Sequence, residues 1–295
     1  MPNPKTMLFA ALLVLMAVFV AFWIRKERGR THDGRGSTPA HLGIGFVTNF
    51  FDTLGIGSFA TTTTIYRFWK LVADQNIPGT LNVGHFLPTV VQALIYITIV
   101  QVEFQTLVLL IAASVAGSWL GAGVVAGLPK QQIQRGMGVA LIVAAFLMVL
   151  TALNALPVGG EALELTEGKL ILAFGITFVL GALMTLGIGA YAPIMIMVSL
   201  LGMNPTAAFP IMMGSCAFLM PTAGFQFIRK HKYDLRAAIG LGLGGMTAVV
   251  IAALIVRSLP LQYVRWLVVV VVLYAATMLL RASFTEATGR RAATA

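Results

Sequence analysis

The sequence contains little charge and a single cysteine. Only 10% of its 295 residues are charged, 58% are hydrophobic, and the mean hydropathy is +0.90. A soluble domain carries about 25% charged residues, so the composition excludes an ordinary soluble protein. Cys216 alone cannot form an intrachain disulfide or a cysteine-rich metal site. We expect no cofactor, and the sequence holds neither a GxxxxGK[ST] nor an HExxH motif.

Long apolar runs indicate membrane helices, because the strands of a membrane barrel would alternate apolar and polar residues. The first run, residues 8–24, is followed directly by Arg25, Lys26, Arg28 and Arg30, with no small-residue cleavage site. This order predicts an anchor helix with its amino terminus outside rather than a signal peptide. We attribute the net charge of +10 to loops that face anionic lipid, and we expect no nucleic-acid partner.

A glycine-broken motif occurs twice. DTLGIGS at 52–58 returns as MTLGIGA at 184–190, and Leu-Pro pairs at 128–129 and 259–260 repeat in nearly the same register. Glycine pairs interrupt helices. Matched breaks in the two halves of a membrane protein point to a transporter's binding site. The sequence therefore predicts an internal duplication with the two breaks at its functional centre.

The predicted fold is an all-α polytopic membrane protein with an anchor helix and two inverted repeats. Each repeat holds a glycine-broken, re-entrant helix pair and three transmembrane helices. We expect an anchor and cytoplasmic linker at 1–40, a first repeat at 41–157, an extracytoplasmic linker at 158–167, a second repeat at 168–282 and a cytoplasmic tail at 283–295. The predicted helices after the anchor are 41–53, 57–71, 78–101, 104–127, 133–153, 169–186, 189–201, 205–228, 235–256 and 263–280.

The positions of the basic residues favour inversion of the second repeat. With three crossings per repeat, sixteen of the 20 lysines and arginines lie on the cytoplasmic side, as the positive-inside rule requires. Two parallel repeats would place the cluster at 229–236 outside. We prefer re-entrant arms because 41–53 spans only about 20 Å as a helix, although the same charge count holds if the arms cross. The carboxy terminus is then cytoplasmic, and we expect the protein in the plasma membrane or the inner membrane of the cell.

The two LGIG motifs, the proline-led helices with Gly84 and Gly214-Ser215, and the Leu-Pro turns resemble the TauE/SafE family of anion permeases, often called sulfite exporters. The resemblance covers roughly residues 43–280. It implies a transporter of small anions such as sulfite, sulfoacetate or other organosulfur and carboxylate species. This sequence departs from the usual pattern at Asp52-Thr53 and in the hydroxyl-rich run 58–64.

Two helix starts at the breaks are predicted to bind the anion. A helix start inside a membrane presents free amide N–H groups and roughly half a positive charge, so it attracts an anion without a buried lysine. The candidate substrate-binding residues are Gly55, Gly57, Ser58, Thr61, Thr62, Asn82, Gly187, Gly189, Ala190, Tyr191 and Ser215. The alternative is that these glycines only allow close helix packing, for which Gly117-x-x-x-Gly121 and Gly240-x-x-x-Gly244 are better candidates.

Asp52 and His85 are the candidate proton-coupling or gating residues, because ionisable groups inside a membrane are costly and are functional by default. Asp52 carries a proton with the anion or repels anions when charged. The alternatives are that it caps the helix that begins nearby or that it is hydrogen-bonded to Asn49 or Asn82. His85 shares a predicted helical face with Asn82 and Gln92, which indicates either a polar wall of the pathway or a silent buried histidine.

Two other classes of function stay open. An anion channel would lack saturable exchange, and an intramembrane enzyme would need Ser58 activated by His85, without a GxSxG elbow. The methionines of the second repeat allow a thioether copper path, but flexible packing accounts for them better. Glycine-rich faces are compatible with a homodimer. The leading hypothesis is a secondary transporter that exports small anions by alternating access and is coupled to protons.

Overall fold

The computed structural model describes residues 4–28, 38–54, 57–153, 155, 159–187, 189–255, 273 and 277. These residues form helices joined by turns, with no strand among them beyond an isolated bridge between Ala162 and Met203. The helices are α1 (Pro4–Glu27), α2 (Thr38–Thr53), α3 (Ser58–Phe68), α4 (Ile77–Gly84), α5 (Phe86–Ile99), α6 (Phe104–Val125), α7 (Lys130–Ala152), α8 (Glu167–Met184), α9 (Tyr191–Leu200), α10 (Ala208–Arg229) and α11 (Leu235–Ile255). The predicted helix 263–280, the Leu-Pro turn at 259–260 and the tail 283–295 lie outside the described residues, apart from positions 273 and 277.

Six helical segments of the described chain are long and apolar enough to cross a membrane. Three of them are the helices α1, α6 and α8. The other three are Asp74–Ile99, which contains α4 and α5, Pro205–Arg229, which contains α10, and Leu235–Leu254, which is α11 without its last residue. The polytopic all-helical class is thus confirmed. α8 has 18 residues, and α2 begins at Thr38, three residues before its predicted start. α2 is therefore longer than the sequence indicated, whereas α8 has its predicted length with both ends shifted by two residues. The re-entry of these arms, like the inversion of the repeats, stays a prediction.

The predicted helix 78–101 is divided in two at His85. α4 ends at Gly84 and α5 begins at Phe86. Pro88 has no N–H to donate to the Gly84 carbonyl, and a proline ring crowds the carbonyl four residues before it. The turn therefore occurs where proline chemistry places it, and it aims the His85 ring toward α2 and α3.

Each half packs one of its helices along a helix of the other half. α2 of the first half packs along α11 of the second, and α8 of the second packs along α6 of the first. Both contacts use the GxxxG faces: a Cβ on Gly117 would lie 1.9 Å from the Phe178 carbonyl oxygen, and one on Gly244 would lie 2.1 Å from the Leu42 oxygen. The packing role predicted for these glycines is confirmed.

α3 and α9 end with the same hydrogen bonds. The Leu71 N–H donates to the Tyr66 oxygen at 3.1 Å, and Met203, 132 positions later, donates to Val198 at 3.0 Å. Lys70 and Gly202, at matching positions, both have positive φ, 52° and 86°. This is a common way for a helix to end, and α10 ends in the same way, with Lys232 N–H bonded to the Phe227 oxygen and φ 52° at His231. The matching ends of α3 and α9 agree with the predicted duplication, which stays a prediction.

Candidate functional site

The two glycine turns meet at a small cavity of about 20 Å³. Gly57 and Ser58 line it from the first turn, and Gly189 and Ala190 line it from the second. Gly187 does not line the cavity, but it too lies near the first half, since a Cβ on it would be 3.8 Å from the Thr63 hydroxyl of α3. Residues 132 positions apart in the chain therefore face one another across a single space.

Each turn contains a glycine in the left-handed region, but at a different place. Gly57 has φ 91° and α3 begins at the next residue. In the second turn the left-handed glycine is Gly187, with φ 97°, and α9 begins four residues later at Tyr191. A side chain is strained at such φ values, so glycine is required at these two positions.

The Asp52 carboxylate caps the start of α3. The Ser58 N–H donates to Asp52 Oδ1 at 2.7 Å, and Gln92 Nε2 donates to Oδ2 at 3.0 Å. The alternative that Asp52 caps the following helix is thus confirmed, whereas the alternative of a bond to Asn49 or Asn82 is wrong, because the side-chain partner is Gln92. Asp52 also lines the cavity. The first helix start is therefore not bare, because an acid of the chain occupies it.

His85 is held by hydrogen bonds at both ring nitrogens. Nε2 lies 3.0 Å from the Thr62 hydroxyl, and Nδ1 lies 3.0 Å from Asn49 Oδ1. Asn49 Nδ2 donates to the Gly45 carbonyl at 2.7 Å, so its oxygen faces the ring. Nδ1 must then carry the hydrogen and Nε2 accepts from Thr62. With both nitrogens used, the geometry gives Ser58 no histidine base, which removes support for the enzyme alternative.

Several predicted residues do not reach the cavity wall. Thr61 donates to the Gly57 and Ser58 carbonyls of its own turn, and Asn82 Nδ2 donates to Pro78. Asn82 Oδ1 and Ser215 Oγ are buried and have no hydrogen-bond partner among the described residues. Thr62 and His85 are absent from the lining set and form a layer behind it. Gly55 and the Tyr191 side chain lie outside the described part.

The sequence reading missed the opposite wall, which is rich in sulfur. It consists of Met184, Met212, Met213, Cys216 and Met220, and Cys216 Sγ lies 3.7 Å from Met184 Sδ. Thr89 adds a hydroxyl on the first-half side. One signal was available: Met184 matches Asp52 in the repeated motif. The described residues contain no group of three or more His, Cys, Asp or Glu side chains that could hold a metal ion.

The first half of the chain matches a known protein family. The family model described as sulfite exporter TauE/SafE matches residues 2–148, about half of the chain and including the first glycine turn. The chain belongs to the TauE/SafE family. No curated protein and no solved structure matches it. Together with the apolar helices, membership identifies this TauE/SafE protein as a multi-pass membrane protein of a transporter family.

Proposed function

We propose that this TauE/SafE protein is a secondary transporter that exports small anions, such as sulfite, sulfoacetate or related organosulfur and carboxylate species. The observation that carries the proposal is the shared cavity, which Gly57 and Ser58 line from one half and Gly189 and Ala190 from the other. A solute bound there contacts both halves, so movement of one half against the other exposes it alternately to the two sides of the membrane.

The second helix start supplies the attraction for an anion. The cap residue of α9, Ala190, has no polar side chain, and Met184, which matches Asp52 in the repeated motif, has no carboxylate to accept an amide. In α3 the first amide is bonded to Asp52. Amides at a helix start and the helix dipole favour a negative charge. The sulfur and methyl groups on the same wall accommodate the less polar part of an organosulfur anion.

The size of the cavity supports alternating access rather than an open channel. About 20 Å³ accommodates a single water molecule, which needs about 10–15 Å³ on the same scale. Sulfite and larger anions therefore require the two turns to move apart. Because the walls belong to different halves, this separation and the change of access are one motion in the proposed cycle.

Asp52 provides the proposed link to protons. A charged carboxylate at the start of α3 competes with a substrate anion for the Ser58 N–H and repels it across the cavity. A protonated Asp52 loses the charge that repels the anion and becomes a weaker acceptor for the Ser58 amide. The anion and a proton therefore enter the site together in our proposal, since binding of one favours binding of the other.

Flux into proteoliposomes tests the proposal. We expect saturable uptake of labelled sulfite or sulfoacetate, stimulated by unlabelled anion on the opposite side, and faster at lower pH. Asp52→Asn keeps an oxygen for the Ser58 amide but removes the charge, so uptake should lose its pH dependence. Ser58→Ala should weaken binding, whereas Ser114→Ala, which removes a buried hydroxyl bonded to Ile111 of its own helix, should not. Unsaturable flux would instead indicate a channel, and no anion flux would end the proposal.

A further inference from the structure

An apolar groove runs beside the anchor helix, away from the cavity between the turns. Its volume is about 410 Å³. We call it the α1 groove; its walls include Val20, Trp23, Ile24, Leu87, Ala238 and Leu243. α1 belongs to neither repeat and carries exposed apolar side chains along its length. The groove therefore lies between the added helix and the core formed by the two halves.

Aromatic contacts hold α1 in the position that leaves this groove open. The Phe19 ring meets Phe86 of α5 at 4.8 Å and Phe225 of α10 at 5.2 Å, both edge to face. Trp23 Nε1 donates to the Tyr233 hydroxyl at 2.9 Å. These contacts fix α1 against α5 and α10, and small residues of α11 (Ala238 and Gly242) face the space beside it.

Charged side chains lie at and around one end of the groove. One acid and one base, Glu27 and Arg28, line that end, and Arg25 and Lys26 lie in the same last turn of α1 without lining it. From α10, the Arg229 guanidinium lies 5.9 Å from the Phe22 ring centre. α11 contributes Arg236, and Asp234 before it accepts the Ala237 N–H. Glu27 and Arg28 balance within the lining, and the excess of cations lies in the adjoining turns of α1, α10 and α11.

We propose that the α1 groove binds one acyl chain of an anionic phospholipid, with the phosphate placed at Arg28. The groove lies beside helices long enough to span a membrane, where acyl chains surround the protein, and its lining is almost wholly apolar. A long apolar slot with cations at one end matches a lipid with an anionic head group. Leu87 in its wall lies two residues from His85, so a bound lipid touches the helix that carries the His85 network.

Trp23 allows the site to be observed directly, because it lines the groove and is 8% exposed. Replacing the other three tryptophans (Trp69, Trp119 and Trp266) with Phe leaves it as the sole indole. Detergent-solubilised protein is titrated with phosphatidylglycerol brominated on its acyl chains, which quenches nearby indoles. We expect saturable quenching at a low lipid-to-detergent ratio. A matched protein that keeps only Trp119, 44% exposed on α6, should be quenched only in proportion to the lipid added.

The head-group arm uses Arg28→Glu and brominated phosphatidylcholine. Each surface cation contributes about 1 kcal/mol to binding an anionic lipid, so reversal at Arg28, a change of two charge units, should raise the half-saturating phosphatidylglycerol concentration about thirtyfold. Phosphatidylcholine should bind more weakly and should not distinguish the variant. Inorganic phosphate should leave Trp23 unquenched and should not displace the lipid.

Equal quenching of Trp23 and Trp119, or equal response to both head groups, would overturn the proposal. So would a dimer in detergent whose formation shields Trp23 from brominated lipid, because a second copy would then fill the groove. Native mass spectrometry of the unmodified protein gives an independent result if the tryptophan variants do not fold: we expect one retained phosphatidylglycerol, lost with Arg28→Glu. None of these readouts depends on anion transport.

Discussion

The two glycine turns share a backbone motif but differ in the side chains around it. In the first turn, Asp52 caps the following helix through Ser58. At the matching positions of the second turn stand Met184 and Ala190; Ala190 keeps the backbone N–H, but Met184 has no carboxylate to accept it. All four residues line the same cavity. One side of the site therefore carries an acid at its helix start, and the other carries apolar and sulfur-containing side chains.

The difference extends to the layer behind the turns. With the same shift of 132 positions, the polar residues Asn49, Thr62, His85 and Gln92 correspond to Gly181, Ile194, Ala217 and Gly224. The hydrogen-bond network of the first half therefore has no counterpart in the second. The duplicated backbone supplies the meeting point of the two turns, while the control of charge at that point resides in one half.

Substitutions at the helix contacts between the two halves should have the largest effects, and they test whether the two interfaces are equivalent. Gly45 of α2 and Gly117 of α6 lie against backbone atoms of the facing helices, with a Cβ approaching to 2.7 Å and 1.9 Å. Alanine there must push helices apart, so we expect Gly45→Ala and Gly117→Ala each to destabilise the protein by roughly 3 kcal/mol. Thermal or denaturant unfolding in detergent measures this loss.

Matched controls lie on the same helices. A Cβ on Gly43 or Gly123 meets nothing within 4 Å among the described residues, so alanine at either position should be neutral or stabilise its helix by up to about 1 kcal/mol. If Gly45→Ala and Gly117→Ala differ widely from one another, the two interfaces are not equivalent. Losses equal to those of the controls would refute the close packing.

An ion pair found in the first half provides the next test. Arg67 Nη1 donates to both oxygens of Asp74, at 2.7 and 2.6 Å, and Gln134 donates to Asp74 Oδ2 at 2.7 Å. Asp74 is 6% exposed and Arg67 21%. Arg67→Ala leaves a buried carboxylate with one neutral donor, and we expect a loss of about 2 kcal/mol, reduced by partial solvent screening.

The corresponding residues of the second half are Ser199 and Thr206, so Ser199→Ala is the matched control and should cost under about 1 kcal/mol. The double variant with Arg67→Ala and Asp74→Ala should lose less than the sum of the single losses, because no lone charge remains. Additive losses would show that the pair contributes nothing as a pair.

A smaller effect is expected from making the first turn resemble the second. Asp52→Met removes the bond to the Ser58 amide and should lower stability by about 1 kcal/mol, as the loss of a helix cap does. Met184→Leu, a change of similar size on the opposite wall, should cost no more than about 1 kcal/mol and leave any pH dependence of anion uptake unchanged. Asp52→Met should abolish that dependence. A pH dependence that survives in Asp52→Met would place the proton site elsewhere.

The sequence predicted those parts of the fold that depend on local chemistry. Apolar runs predicted the helices, glycine pairs predicted the turns, and the GxxxG faces predicted the close packing of α6 and α11. It did not predict the break at His85, although Pro88 was the cause. Periodicity alone joined two helices that proline separates, because a hydrophobic pattern continues through a kink.

The sequence predicted only part of the candidate site, for a different reason. Asp52 and the glycines adjoin the turns in the chain, so their place at the cavity follows from local sequence. Gln92 is 40 positions from Asp52, and Met212 comes from a third helix. Which face of a long apolar helix meets the turns depends on tertiary packing. In a chain that is apolar on every side, hydrophobic periodicity cannot distinguish that face.

The smallest expected effect concerns a feature that both halves share. Glu103 accepts the Gln105 and Thr106 amides at 2.7 and 2.6 Å at the start of α6, as Asp234 accepts the Ala237 amide at the start of α11. Burial, the largest single influence, raises the pKa of Glu103, but the hydrogen bonds from Gln105 and Thr106 together outweigh it, so the pKa lies below the usual value. Stability from this cap is present above the ordinary glutamate pKa and is lost as the pH falls through the lowered one.

We therefore expect Glu103→Ala and Asp234→Ala each to lower stability near neutral pH by about 1 kcal/mol or less, since these caps lie near solvent. Unfolding followed from neutral to acidic pH should show the wild type approaching Glu103→Ala at the acid end, as the carboxylate gains its proton. A constant difference at all pH values would mean that packing of the side chain, rather than its charge, stabilises α6. Similar losses for the two caps would show that the halves agree at their helix starts even though they differ at their turns.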